Sequence, residues 1–148
     1  LLWVDLWTRG VTEVGADVRG SAGSDVYKGR GSALGHSAYL TITPAHKRLE
    51  VGWTWYTAQA RGNKINPACK LLLLGNAFDK GAERVELKTH HKNLRSQNAM
   101  LKMGATREGT LRRNLLCWTG EWRDSVFFSV LKEEWPAARA GLEARLVA

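Results

Sequence analysis

Four local patterns follow one another between Glu50 and Thr89, and their order restricts the fold more than any other feature of the chain. EVGWTWY alternates and is rich in aromatic residues; QARGNKIN is polar and holds Gly62; PACKLLLLGNAFDK has the length and apolar content of a buried helix; RVELKT alternates again, with Val85, Leu87 and Thr89 on one side. Strand, loop, helix and strand at this spacing can place both strands parallel in one sheet, joined by a crossover helix. Asn66 is a favourable N-cap, Pro67 suits the first helical position and Gly81 can close the far end, which predicts a helix over about 67–80.

The flanks predict more of the same sheet. Leu34, His36, Ala38, Leu40 and Ile42 alternate with small or polar residues, TPAHK makes a turn, and Leu49, Val51, Trp53 and Trp55 oppose Glu50, Gly52, Thr54 and Tyr56. That is the pattern of an antiparallel hairpin. Downstream, Asn93 can cap a short helix ending near Met103, with Gly104 behind it. Thr110–Cys117 and Ser125–Leu131 read as strands around a turn at Thr119 and Gly120, and the tail from Lys132 is helix-forming despite Pro136 and Gly141. The predicted order is strand, strand, helix, strand, helix, strand, strand, a mixed α/β (α+β) layout. Residues 10–31 show neither period and are expected to be loop or poorly packed.

With 148 residues, 44% of them hydrophobic, the chain can bury one compact core and is too short for two ordinary domains. Leu71–Leu74 is far shorter than the roughly 20 apolar residues of a membrane-spanning helix. The opening LLWVDLW contains Asp5 and lacks a basic leader and a small-residue cleavage pattern, so a cytoplasmic protein is expected. Cys69 and Cys117 are the only cysteines, far apart and without ligand spacing, which indicates reduced thiols and no metal site.

The net charge of +8 lies in the middle of the chain: from Arg61 to Arg113 there are twelve Lys and Arg against four acids, a surplus of eight. Such a stretch suits an anionic partner, whether nucleic acid, an acidic protein or a phosphorylated cofactor, and is equally what a solvated basic face looks like. The loop before the apolar helix narrows the choice. A helix start leaves backbone N–H groups without partners, Gly62 permits angles that aim neighbouring amides at one centre, and Arg61 and Lys64 add positive charge beside them. A pyrophosphate fits such a concavity; a capped turn before a buried helix explains the same residues.

In this order and spacing, EVGWTWY, the RG-containing loop with its apolar helix, NLRSQNAMLKMGA and SVFFSVLKEEW resemble the GNAT superfamily of acetyl-CoA-dependent N-acetyltransferases. Within it, the chain is similar to the RimJ/RimL-like group, which acetylates protein N-termini and small amines. The resemblance runs from about Gly31 to the C-terminus. It implies a mostly antiparallel sheet with a central strand-helix-strand crossover and flanking helices, a divergent or partly ordered segment at 1–33 and an acetyl-CoA-binding domain at 34–148. It further implies that Arg61, Gly62, Asn63, Lys64, Ile65 and Asn66 bind the pyrophosphate through backbone amides, and that Asn93 and Ser96 approach the pantetheine arm or thiol.

The family reaction is attack of an unprotonated amine on the thioester carbonyl, which needs a base, donors for the developing oxyanion and an acid for the thiolate. Glu50 is the candidate base, although a solvent-facing strand glutamate would look the same; backbone N–H groups near Val51 to Trp53 are candidate donors, and Ser96 or Tyr56 a candidate acid. His36, His46, His90 and His91 are expected to be surface or packing residues. The implied partner is an amine acceptor, a protein N-terminus or small molecule, without a membrane and with room for a homodimer. Two departures stand out. The family's loop has the form Q/R-x-x-G-x-G/A, and Lys64 here lies near the place of its later glycine; and the strand and two helices that precede the family's central hairpin are matched at most by LLWVDLWTRGVTEV, as in a truncated or divergent copy. The alternatives are a catalytically impaired acetyl-CoA- or nucleotide-binding module and a basic nucleic-acid binder, the latter disfavoured by the lack of a motif and of alternating exposed aromatic and basic residues.

Overall fold

The computed structural model describes residues 24–29 and 32–147. Strands β1 (Ser24–Gly29), β2 (Ser32–Thr43), β3 (Arg48–Tyr56), β4 (Arg84–His90), β5 (Thr106–Leu116) and β6 (Trp122–Leu131) form one sheet in the order β1-β2-β3-β4-β6-β5. Helices α1 (Ile65–Asp79), α2 (Leu94–Lys102) and α3 (Trp135–Val147) follow β3, β4 and β6. All neighbours are antiparallel except β3 and β4, which α1 joins as a parallel crossover. No helix among the described residues is long and apolar enough to cross a membrane. The stretch LLWVDLWTRGVTEV lies outside the described residues.

One face of the sheet carries the core. Along β4 and β6 the pairs Val85–Val130, Leu87–Phe128 and Thr89–Val126 keep the period of two that places apolar residues together. Leu49 and Val51 of β3 join them, and α1 lays Leu73, Leu74, Ala77 and Phe78 over this face. The Phe78 and Trp135 rings stack with centroids 5.3 Å apart, tying α1 to α3. The Tyr39 hydroxyl donates to Leu73 O at 2.7 Å, so β2 is fastened to α1 as well. Gly81, at φ +93°, ends the helix as its sequence position predicts.

Three expectations need correction. Ser24–Gly29 is a strand and not loop: it pairs with β2 from Ser24↔Ala38 to Gly29↔Ser32, and backbone pairing to a neighbour supplies what its short, Gly-bounded pattern does not advertise. Helix α1 starts at Ile65, with Lys64 at its N-cap position and no side-chain cap there; Asn63 Oδ1 accepts from Ile65 N at 2.9 Å in the turn that leads in, and Asn66 is inside the first turn. Pro67 is tolerated there because a first-turn residue needs no N–H. Finally, Trp53 and Trp55 do not share the core face with Leu49 and Val51. They are 75% and 52% exposed, because an extra residue in β3 breaks the alternation between Ala38↔Gly52 and His36↔Trp55.

Candidate functional site

The site grows from a fork in the sheet. β3 and β4 pair only at Arg48↔Arg84, Leu49↔Val85 and Glu50↔Glu86, whereas β4 stays paired with β6 along its whole length, to His90↔Ser125. Beyond Glu50 the two parallel strands have no ladder between them, and a gap opens at their C-terminal ends, where open α/β sheets bind ligands. The bulge in β3 begins at the same point. Trp53 adopts φ +48°, an angle that a bulky residue takes only when its surroundings force it.

Both faces of the sheet hold this bulge. On one, the His36 Nδ1–H donates to Trp53 O at 3.1 Å. On the other, the Lys70 ammonium, on α1, donates to Thr54 Oγ1 at 2.9 Å and to Ser37 Oγ at 3.3 Å, and the two hydroxyls are 2.7 Å apart. None of these contacts is visible in sequence, where His36 is expected to be a surface or packing residue and Lys70 carries no assignment. Burial pushes Lys70 down to about 8, with Cys69 pulling weakly the other way. An unfolded lysine keeps its proton to about 10.5. Between those values the unfolded chain therefore binds more protons than the folded one, and stability rises with pH across the window. Lys70→Met is expected to remove that rise, as read from denaturant midpoints of parent and variant at about pH 8 and about pH 10.

Ion pairs close the neck of the fork. Arg48 Nη1 meets Glu86 Oε1 at 2.8 Å, and Lys88 Nζ meets Glu50 Oε2 at 2.8 Å, each bridging β3 and β4. Burial would raise Glu86, but the hydrogen bonds from Arg84 and Arg48 outweigh it and hold the carboxyl below its usual range. Glu50 is not a solvent-facing strand residue: it is 4% exposed, on the face opposite Leu49 and Val51. Gly52 leaves room for it, since a Cβ there would stand 2.9 Å from Glu50 Oε1. Lys88 and Gly52 are thus neighbours of the candidate base that sequence reasoning missed.

At the mouth of the fork lies the polar loop, with Arg61, Gly62, Asn63 and Lys64 all exposed. Two of its amides are committed, Arg61 N to Ala58 O and Ile65 N to Asn63 Oδ1. Those of Gly62, Asn63, Lys64 and Asn66 make no hydrogen bond among the described residues. Gly62 sits at φ +76° with nothing within 4 Å of a Cβ position, so its backbone angle and not crowding selects glycine. The Lys64 ammonium has no hydrogen bond or ion pair among the described residues, whereas the Arg61 Nε–H donates to Tyr56 O at 2.9 Å and braces the end of β3. Unpartnered amides at a helix start beside an unpaired cation are the donor set a diphosphate takes.

The remaining candidates separate. Asn93 caps α2 through Oδ1, which accepts from Ser96 N at 3.1 Å, so its side chain is committed to the helix start and Ser96 is positioned by it. Tyr56 is buried beside Cys69 and Ala60, away from Glu50 on the other face. Burial above all, then the Cys69 thiol, push the Tyr56 phenol well above its ordinary range, so it stays protonated. Val51 is a core residue, and only its backbone is available to a ligand. Both cysteines are free, and among the described residues no cluster of His, Cys, Asp or Glu could hold a metal ion.

An acetyltransferase (GNAT) domain profile matches residues 9–106. No curated protein gives a significant match. Among solved structures, a protein from T. thermophilus assigned as an acetyltransferase is 44% identical, with TM-score 0.75 over 80% of this chain and 62% of its own. A GCN5-related N-acetyltransferase from Brucella melitensis is 30% identical, with TM-score 0.74 over 78% of this chain and 52% of its own. RimJ from Mycobacterium smegmatis, in complex with CoA-disulfide, is 25% identical, with TM-score 0.70 over 83% of this chain and 60% of its own. The chain therefore spans between half and two thirds of the length of these relatives. The profile match, the relatives and the forked sheet agree: this chain belongs to the GNAT family of acetyltransferases.

Proposed function

We propose that the chain transfers an acetyl group from acetyl-CoA to a primary amine, on a protein N-terminus or a small molecule, in the manner of the RimJ/RimL-like group. The observation that carries this reading is the fork between β3 and β4 with unpartnered loop amides at its mouth. Acetyl-CoA supplies an activated acetyl carbonyl. The amides of Gly62, Asn63, Lys64 and Asn66 hold its diphosphate, and the Lys64 ammonium adds charge at the rim. The β3 backbone from Val51 to Trp53, freed from β4, offers N–H groups to polarise a carbonyl. Glu50 takes the proton of the incoming amine, and Ser96 returns one to sulfur, Tyr56 being buried on the other face.

Mixing the chain with acetyl-CoA and a panel of peptide and small-amine acceptors, while following free thiol, tests this directly. Acetyl-CoA and desulfo-coenzyme A are both expected to raise the thermal midpoint, by about 2.7 kcal/mol of stability at a hundred times the dissociation constant. An unchanged midpoint at millimolar ligand, together with no heat in calorimetry, removes the cofactor assignment. A second reading, a module that binds acetyl-CoA without turnover, draws on the Lys88 ion pair that occupies the Glu50 carboxylate. It is selected if the midpoint rises and no acceptor releases thiol. A nucleic-acid binder, in contrast, loses affinity steeply with added salt.

A further inference from the structure

Lys70 is an unusual residue to find where it is. Its side chain is buried, at 7% exposure, and its partners are two hydroxyls, Ser37 Oγ and Thr54 Oγ1, with no carboxylate among the described residues. Ser37 is itself wholly buried. Taking an ammonium out of water with only neutral acceptors is costly, and an apolar side chain could fill the same place between Cys69 and Leu73 without that cost. Among the described residues, the titratable group that acts on Lys70 is Cys69; the phenol of Tyr56 lies next to that thiol, and the strands packed on Lys70 present hydroxyls.

What Lys70 joins explains its presence. Trp53 and Thr54, side by side in β3, have no partner in the β2 register. With the ladder interrupted on the β2 side and absent on the β4 side, side-chain contacts must fix this stretch. Thr54 is held by Lys70 and Ser37, and Trp53 by His36. Lys70 stands on the same helix whose first turn presents the free amides of the loop. One side chain thus connects the diphosphate end of the proposed site to the bulge at its reactive end.

We propose that Lys70 is a positioning residue, which sets the β3 bulge relative to the α1 N-terminus so that the ends of one bound acetyl-CoA meet both. This rests on the acetyl-CoA reading above and adds a residue whose role neither the family profile nor sequence pattern assigns. The contact is indirect: Lys70 acts through Thr54, and the loop amides do not depend on it.

The test separates binding from turnover. Lys70→Met keeps the length of the side chain and removes its donors. Coenzyme A, held by the loop, is expected to bind this variant within about twofold of the parent by calorimetry, while kcat falls about ten- to a hundredfold, as displacing reacting groups by about an ångström does. The thermal midpoint of Lys70→Met at about pH 7 is expected to equal or exceed that of the parent, because a buried charge has been removed. Thr54→Val, which keeps the shape and loses the hydroxyl, is expected to repeat the kcat loss, and the double variant to lose no more than either single one. Unchanged kcat in a folded Lys70→Met, or coenzyme A affinity lost in step with kcat, overturns the proposal. If Lys70→Met does not fold, Thr54→Val decides by the same two readings. A parent that neither binds acetyl-CoA nor releases thiol refutes the functional reading itself, which no result with the variants can imitate.

Discussion

Replacing Glu50 by glutamine is expected to lower turnover by about two to four orders of magnitude and to leave acetyl-CoA affinity within a few-fold. The amine that attacks a thioester has to shed a proton, and at the last pair before β3 and β4 part, Glu50↔Glu86, Glu86 is held by Arg48 and Arg84, which leaves Glu50 as the candidate base. Its Oε2 receives the Lys88 ammonium at 2.8 Å, and Gly52 keeps the space beside Oε1 clear. One oxygen is therefore anchored and the other is left to accept a proton. Glutamine preserves the shape and can still accept from Lys88, so the loss measured is that of a base. Steady-state turnover alongside calorimetric titration distinguishes the roles. Equal turnover in parent and variant takes Glu50 out of the mechanism and leaves it as a strut between β3 and β4. Lys88→Met supplies the matching control: it removes the ion pair while leaving the carboxylate, and a strut alone predicts that both variants lose thermal stability with turnover intact.

The elements that the sequence announces are those whose cause is local. Asn93 caps α2 because its partner is Ser96 N, three residues away, and Gly81 ends α1 by its own backbone angle. The crossover β3-α1-β4 follows from the succession of periods between Glu50 and Thr89. The bulge does not, for WTWY alternates without interruption. What breaks the alternation is a mismatch with β2 and a set of anchors, His36 and Lys70, each at least 16 residues from the atom it holds. The candidate site shows the same division. Gly62 and its loop are legible because helix starts have a local chemistry, and the surplus of cations points to an anion. Glu50 could be named from its place on the strand, but its burial and its partner Lys88, 38 residues on, depend on the parallel pairing. Strand β1 was hidden for a related reason: its hydrogen bonds belong to β2 as much as to itself.

Gly62→Val is expected to weaken acetyl-CoA binding about ten- to a hundredfold, the size of a strain of about 1–3 kcal/mol at a position held at positive φ. The cause would be backbone and not bulk, since nothing lies within 4 Å of a Cβ on Gly62. Valine, branched at Cβ, avoids φ +76°, and as the loop relaxes the amides of Gly62, Asn63 and Lys64 turn away from a common centre. Gly62→Asn separates the two explanations, because asparagine enters the left-handed region with little strain and brings a side chain of similar size. It is expected to bind nearly as the parent does. Lys64 marks the other half of the argument. Its ammonium is exposed and without a partner among the described residues, and a charge at the rim of a helix start is worth about 1 kcal/mol, so Lys64→Ala should cost several-fold in affinity and flatten the salt dependence without abolishing binding. Lys64→Gly should recover part of that loss if the family-like glycine improves the amide geometry. Titrations of the four variants with acetyl-CoA at two salt concentrations rank backbone against charge. If Gly62→Val binds as tightly as the parent, the loop amides do not grip a diphosphate, and Gly62 serves only as the turn through which β3 reaches α1.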